Sequence, residues 1–212
     1  LTIGISPDRV HRFWRQWPFW SANYTLQRID RQVRGFDGAA GGDPRTVEWA
    51  PGWSDARHVW LLQLGHQGKF GSFSAFARLQ SGLPFTPLVQ GDVNGDGRSG
   101  DRAYVPNTAT TTDIALIRGI RALQNRGSAV AQECLGRSIA NPLARNDCRG
   151  PWTRTVNITW APPTAFLGKS WQSRVNMTVF ANNVLGGIDQ LVNGADNMRG
   201  WGGVASVSYT HL

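Results

Sequence analysis

Residues 71–87 read Gly71-Ser72-Phe73-Ser74-Ala75-Phe76-Ala77-Arg78-Leu79-Gln80-Ser81-Gly82-Leu83-Pro84-Phe85-Thr86-Pro87. The first ten set Phe73, Ala75, Ala77 and Leu79 against Ser72, Ser74, Arg78 and Gln80. Successive side chains of a strand point to opposite faces, so this alternation predicts a strand with one apolar and one polar face. Turn-forming residues then end it. Gly82, Pro84 and Pro87 lead into Gly91-Asp92-Val93-Asn94-Gly95-Asp96-Gly97-Arg98-Ser99-Gly100-Asp101-Arg102, and alternation resumes only near Trp152. A connection of about seventy residues is far longer than compact domains normally carry. Transmembrane barrels carry long loops on their external side.

Other segments alternate in the same way. Residues 19–32 set Trp20, Ala22, Tyr24 and Leu26 against Ser21, Asn23, Thr25 and Gln27, and residues 58–66 place Trp60, Leu62 and Leu64 on one face. Residues 152–160 set Trp152, Val156, Ile158 and Trp160 against Thr153, Thr155, Asn157 and Thr159. Residues 171–182 set Trp171, Val175, Met177, Val179 and Ala181 against Arg174, Asn176, Thr178 and Asn182. Residues 1–6 are expected to end an earlier strand. Trp152 and Trp160 share a face; at ~3.3 Å per residue and a tilt near 40° they are separated by roughly 20 Å of height, close to the apolar band of an outer-membrane barrel. Trp20, Trp60, Trp152, Trp160 and Trp171 are therefore candidate membrane-interface aromatics, since Trp favours sites with one apolar and one wet edge. Trp14 and Trp17 cluster with Trp20 at the start of the first long strand.

Connections also alternate. Residues 67–70 and 162–170 are short; 33–57, 81–151 and 183–203 are long and expected to be external. Segments 19–32, 71–80 and 171–182 then run outward, and 58–66 and 152–160 inward. The expected fold class is all-β: a fragment of a transmembrane antiparallel up-and-down β-barrel. About six or seven strands are too few to close one, so an open, curved sheet is expected, with short helices in its long external loops.

The bulk composition is compatible with this. The chain has 212 residues, 41% of them apolar. No apolar run approaches the ~18–20 residues of a spanning helix, so any membrane crossing must use strands. The chain starts at Leu1 without a charged-then-apolar leader and is read as a piece of a longer protein. The formal charge is +8, and the 22 basic residues include only two lysines, Lys69 and Lys169. The arginines are scattered with no basic run, which argues against nucleic acid and suits anionic lipid or a polar lumen.

The long loop has internal signals. Thr112-Asp113 predicts a cap for a short helix carrying Ile114, Ile117, Ile120 and Leu123 and ending near Gly127, with a second helical piece before Cys134. The spacing of Cys134 and Cys148 suits one disulfide closing a small loop, implying an oxidising compartment; two cysteines without nearby histidine pairs make a poor zinc site. Asp92, Asn94 and Asp96, with Asp101 as the nearest later acid, are candidate calcium ligands because oxygens at alternate positions can wrap a hard cation. Position twelve of that pattern is Ala103, and the competing reading is a series of Asn-Gly and Asp-Gly turns.

Catalysis has little to stand on. His11, His58, His66 and His211 are scattered, and no nucleophile elbow, zinc helix or phosphate-cradling loop is present. Asp30, Asp37, Asp43, Glu48 and Asp55 read as solvated loop charges near Arg31, Arg34, Arg45 and Arg57. The expectation is a non-enzyme.

Several motifs carry a resemblance. Arg34-Gly35-Phe36-Asp37-Gly38, Gly42-Asp43-Pro44-Arg45 and Glu48-Trp49-Ala50 resemble an external loop of TonB-dependent outer-membrane receptors, most of all the Oar-like group with an N-terminal carboxypeptidase-regulatory-like domain. Residues 81–87 and 91–97, with Asp101-Arg102-Ala103-Tyr104-Val105-Pro106, resemble the next loop. Cys134 and Asn146-Asp147-Cys148-Arg149-Gly150-Pro151-Trp152 resemble its closing part, and Val179-Phe180-Ala181-Asn182-Asn183-Val184-Leu185 a late barrel strand. The resemblance implies that residues 1–202 are a partial receptor barrel of the outer membrane of a Gram-negative bacterium. The parent would take up a siderophore, cobalamin, oligosaccharide or peptide. Its partners would be outer-membrane lipid and, through a plug domain not in this sequence, the TonB complex. Residues 203–212 are expected to be a non-native tail, since Val207-Ser208-Tyr209-Thr210-His211-Leu212 looks like translated adapter sequence. The rival readings are a structural or adhesive barrel without transport and a secreted calcium-binding β domain.

Overall fold

The computed structural model describes residues 1–6, 19–34, 45–92, 95, 97, 100–137, 139–140, 143–163, 175–195 and 198–202. In chain order the elements are β1 (Thr2–Ile5), β2 (Phe19–Leu26), β3 (Asp30–Arg34), β4 (Val47–Pro51), β5 (His58–Gly68), β6 (Gly71–Gln80), β7 (Pro84–Phe85), β8 (Leu88–Val89), β9 (Asp101–Arg102), α1 (Ile114–Arg126), α2 (Ala129–Arg137), β10 (Cys148–Arg149), β11 (Thr153–Ala161), β12 (Val179–Ala181) and α3 (Val184–Asn193). They form two compact units. Unit 1 comprises residues 1–26, 57–81 and 152–212; unit 2 comprises 27–56 and 82–151.

Unit 1 is an antiparallel sheet in the order β1-β2-β5-β6-β11-β12. Each of these strands pairs with the next one along the chain that belongs to the sheet. Directly paired residues share a face, so the register sorts the side chains into rows. Ile3, Tyr24, Trp60, Leu79 and Arg154 form one row; Ile5, Ala22, Leu62, Ala77 and Val156 the next. Trp20, Leu64, Ala75, Ile158 and Ala181 follow, then His66, Phe73, Trp160 and Val179. The opposite face is mixed: it carries Ser21, Asn23, Thr25, Gln63, Ser74, Arg78, Thr155, Asn157 and Thr159 together with Phe19, Val59, Leu61, Phe76 and Phe180. There Ser21 donates to Gln63 Oε1 at 3.2 Å, and the Thr2 and Thr25 hydroxyls lie 3.2 Å apart. No residue of the six strands is buried.

The sheet is open, with β1 and β12 as its outer strands. At one end the chain leaves it after Leu26 and Gln80 and returns at His58 and Thr153, and these four residues are neighbours across the sheet. At the other end β5 and β6 are joined by a tight hairpin closed by the Gly68–Gly71 pair. Gly71 has φ +96°, and a Cβ there would collide with the Ala161 carbonyl of β11, so the position requires glycine. Trp160 Nε1 donates to the Phe70 carbonyl at 3.0 Å, tying this hairpin to β11.

Two expected strands are shorter in the structure. Segment 19–32 breaks after Leu26: residues from Asp30 pair instead with β4, so the expected loop 33–57 contains strand at Val33–Arg34 and Val47–Pro51. Segment 171–182 is a strand only over Val179–Ala181, because β12 pairs with β11 only between Ile158 and Trp160; residues 175–178 have no regular structure, and 171–174 lie outside the described residues. Of the short connection expected at 162–170, residues 164–170 lie outside the described residues.

After β12 the chain turns into α3 through Asn183, which is left-handed at φ 51° and whose N–H donates to Asn157 Oδ1 at 2.9 Å. Asp189 of α3 is fully buried and accepts hydrogen bonds from Asn193 Nδ2, Arg199 N and Trp201 N at 2.8, 3.0 and 2.9 Å. Burial works against its charge, but these donors outweigh it and hold the carboxyl below the ordinary aspartate value.

Unit 2 holds small antiparallel pairs, β3–β4, β7–β10 and β8–β9, with α1 and α2. Asp113 caps α1 by accepting from Ala115 N at 2.9 Å and Leu116 N at 3.1 Å, and Gly127 is its C-cap. Cys134 in α2 is bridged to Cys148 in β10, and the buried pair packs with Leu143, Phe85 and Ala103. Closing a loop of that size removes about 3 kcal/mol of unfolded-state entropy. Cys148→Ser should therefore lower unit 2 stability by about 3 kcal/mol in denaturant unfolding and open residues 103–147 to protease; unchanged stability would show that the bridge is incidental.

Candidate functional site

The segment Arg145–Arg149 holds unit 2 together. Arg149 lies between two ends of chain far apart in sequence: Nη2 contacts Asp55 Oδ2 at 2.5 Å, and Nη1 donates to the Asp55 carbonyl at 2.8 Å. The same Nη1 reaches the Gly82 carbonyl at 3.4 Å. Asp55 is 1% exposed, and its Oδ1 accepts from Ile29 N at 3.0 Å. A buried carboxylate needs such compensation, because desolvation of an unpaired charge costs several kcal/mol. Asn146, left-handed at φ 57°, donates from Nδ2 to the Pro51 carbonyl at 2.7 Å and from its N–H to Thr86 Oγ1 at 2.8 Å. The two guanidinium nitrogens Nη1 and Nη2 of Arg102 grip the Glu48 carboxylate in a bidentate pair, and Arg145 Nε approaches Glu48 Oε2 at 3.6 Å.

The paired guanidinium of Arg102 is the main cause of a Glu48 pKa below its ordinary 4.5; desolvation opposes it, and Arg145 adds to the lowering. The acids Glu48 and Asp55, expected to be solvated loop charges, are thus structural ion-pair partners of Arg102, Arg145 and Arg149. Asp30 does behave as a surface charge, 2.8 Å from exposed Arg28.

These anchors frame a cleft of about 130 Å³ on unit 2, lined by Arg31, Gln32, Val33, Pro51, Gly52, Trp53, Arg145 and Asn146. Trp53 stands on a turn in which Asp55 N donates to the Gly52 carbonyl at 2.9 Å. Gly52 is buried against Ile29, whose Cγ2 would lie 2.9 Å from an added Cβ.

Of the candidate calcium ligands, Asp92 and Asp101 fall among the described residues. Asp92 accepts from Gly95 N at 2.7 Å and Gly97 N at 2.8 Å, the backbone-satisfying turn expected of an Asp-Gly series. Asp101 is buried in β9, paired in register with Val89. Asn94 and Asp96 lie outside the described residues. Among the described residues no group of three His, Cys, Asp or Glu is placed to hold a metal ion.

Of the interface aromatics, Trp60, Trp152 and Trp160 are all exposed on the apolar side of unit 1, Trp60 and Trp152 near the end where the long excursions begin and Trp160 near the hairpin end. Trp20 stands one row further in than Trp160, opposite Leu64. Trp171, Trp14 and Trp17 lie outside the described residues. A ring cluster not foreseen in the sequence accompanies the first pair: Tyr24 Oη is 2.7 Å from His58 Nδ1, His58 stacks with Trp152 at 6.0 Å, and Tyr24 meets Trp60 at 4.5 Å between centroids.

No protein-family model matches the chain, and no curated protein or solved structure matches it.

Arg149→Met leaves Asp55 charged, buried and unpaired, and should cost about 3–5 kcal/mol in denaturant unfolding; a change under about 1 kcal/mol would mean the pair does not anchor the unit. Glu48 is the pH-sensitive partner. Its folded pKa is lower than its unfolded one, so its contribution is present above pH 4.5 and is lost as pH falls from there through the folded value. Glu48→Gln should flatten that acid-side loss in thermal melts taken between pH 6 and pH 3.

Proposed function

We propose that the chain is part of the β-barrel of a TonB-dependent outer-membrane receptor that takes up a nutrient, with unit 1 as barrel wall and unit 2 as surface structure. The observation that carries this reading is the six-stranded sheet with no buried residue and a face whose two middle rows are wholly apolar, with Arg154 and His66 only in the outer rows. Soluble monomers rarely expose a contiguous apolar patch of more than a few hundred Å². On this face Ile3, Ile5, Trp20, Trp60, Leu62, Leu64, Trp160 and Val179 are all exposed. Lipid is the solvent that such a face fits, and the opposite face, where Ser, Thr, Asn and Gln side chains are mixed with Leu61 and Phe76, suits a plugged lumen.

Three further features support the reading. Aromatic side chains stand near both ends of the apolar face, as in interfacial girdles. The long excursions leave from one end and a tight hairpin occupies the other, as expected of barrels with external loops and short periplasmic turns. The disulfide suits an oxidising compartment. Nutrient uptake rests on the sequence resemblance in residues 34–50, 81–106 and 146–152. The described part has no helix long and apolar enough to cross a membrane, which leaves crossing by strands open.

Paired substitutions test the facing. Leu62→Arg, in the middle of the apolar face, should destabilise the chain folded in lipid vesicles by about 2–4 kcal/mol. Gln63→Arg, one residue on and facing the other way, should cost less than about 1 kcal/mol. Equal costs would contradict a lipid-facing apolar side. Import is tested separately: deleting the full-length gene should abolish growth on one scarce nutrient as sole source, and unimpaired growth on every candidate with loss of surface attachment would favour the adhesive barrel.

A further inference from the structure

We propose that the cleft of unit 2 binds a sugar acid, its carboxylate held by Arg31 and its ring lying against Trp53. The inference rests on the reading of unit 2 as the ligand-meeting surface of the receptor and names the class of molecule it would meet.

Three observations meet at one place. Arg31 is exposed and lines the cleft, and its side chain takes part in no ion pair or hydrogen bond among the described residues. Its planar guanidinium can take a carboxylate through two parallel N–H bonds. The other acids and arginines around the cleft are already engaged with one another: Glu48 with Arg102 and Arg145, Asp55 with Arg149.

Trp53 supplies the second contact. It is 68% exposed, which would be costly if it served packing alone. Its turn is fixed from beneath by buried Asp55, the Arg149 clamp and the close approach of Gly52 to Ile29. A large apolar ring held rigidly at the lip of a polar cleft loses little freedom on binding and suits the flat face of a sugar or other ring.

The third contact is polar and uncharged. Gln32 and Asn146 line the same cleft. Asn146 spends one amide hydrogen on the Pro51 carbonyl, and its Oδ1 accepts from Thr86, so its geometry is set before a ligand arrives. Side-chain amides both donate and accept, which matches hydroxyl groups. A guanidinium, a ring platform and amides within about 130 Å³ fit one carboxylated, hydroxylated ring rather than a bulky ligand.

The test is calorimetric titration of the full chain, folded in detergent micelles, with galacturonate, galactose and inorganic phosphate. Saturable galacturonate binding is expected, with galactose and phosphate each at least about tenfold weaker. Arg31→Gln and Trp53→Ala should each weaken galacturonate at least about tenfold, and Arg31→Lys should fall between. Both residues are exposed, so the variants should keep the circular dichroism of the parent. Absence of saturable galacturonate binding, phosphate binding as tight as galacturonate, or affinity unmoved by Arg31→Gln would each overturn the proposal. A chain that folds without detergent would sink the membrane reading while leaving the titration just as decisive for the cleft.

Discussion

A six-stranded sheet in which no residue is buried imposes one requirement on everything around it: its apolar face must be covered. Within unit 1 the rows from Ile5 to Val156 and from Trp20 to Ala181 hold only aliphatic and aromatic groups and small alanines. Burying one such side chain is worth about 1.5–3 kcal/mol. Leaving a whole face in water would cost more than the marginal net stability of most domains can spare. The opposite face mixes Phe19, Leu61 and Phe76 with polar side chains, among them the bonded pairs Ser21–Gln63 and Thr2–Thr25, and has less need of cover. The difference between the two faces, rather than strand count, is what the proposal of a lipid-facing side rests on.

Unit 2 solves a different problem. It consists of two long excursions with few buried apolar side chains, so polar contacts and a covalent bridge replace a large core. The residues from Arg145 to Arg149 carry most of this. In five positions they supply partners for Glu48, Pro51, Asp55, Gly82, Thr86 and Cys134. One consequence is that turn 52–55 is held rigidly enough to present Trp53 to solvent.

Much of unit 1 was legible in the sequence because period-two alternation depends only on which way successive side chains point. The bounds expected for residues 71–80 are those of β6 itself, and the Asp113 cap and Gly127 stop of α1 follow from local backbone chemistry. What failed was what depends on a partner. Residues 30–32, expected to continue β2, pair with β4 instead, and residues 175–178 keep the alternation without being strand. The ion pairs were missed for a similar reason: Glu48 and Arg102 are 54 positions apart, Asp55 and Arg149 are 94 apart, and no local pattern links them. The cleft was invisible for the same cause, since Arg31 and Asn146 meet only once both excursions are folded.

The central claim is that the apolar face of unit 1 belongs in lipid. The most direct test is to refold the purified chain with and without detergent micelles, reading β-sheet content by circular dichroism and particle size by scattering. A β-rich, monodisperse particle is expected in detergent, with aggregation when detergent is removed. A folded, monodisperse monomer in plain buffer would contradict the account.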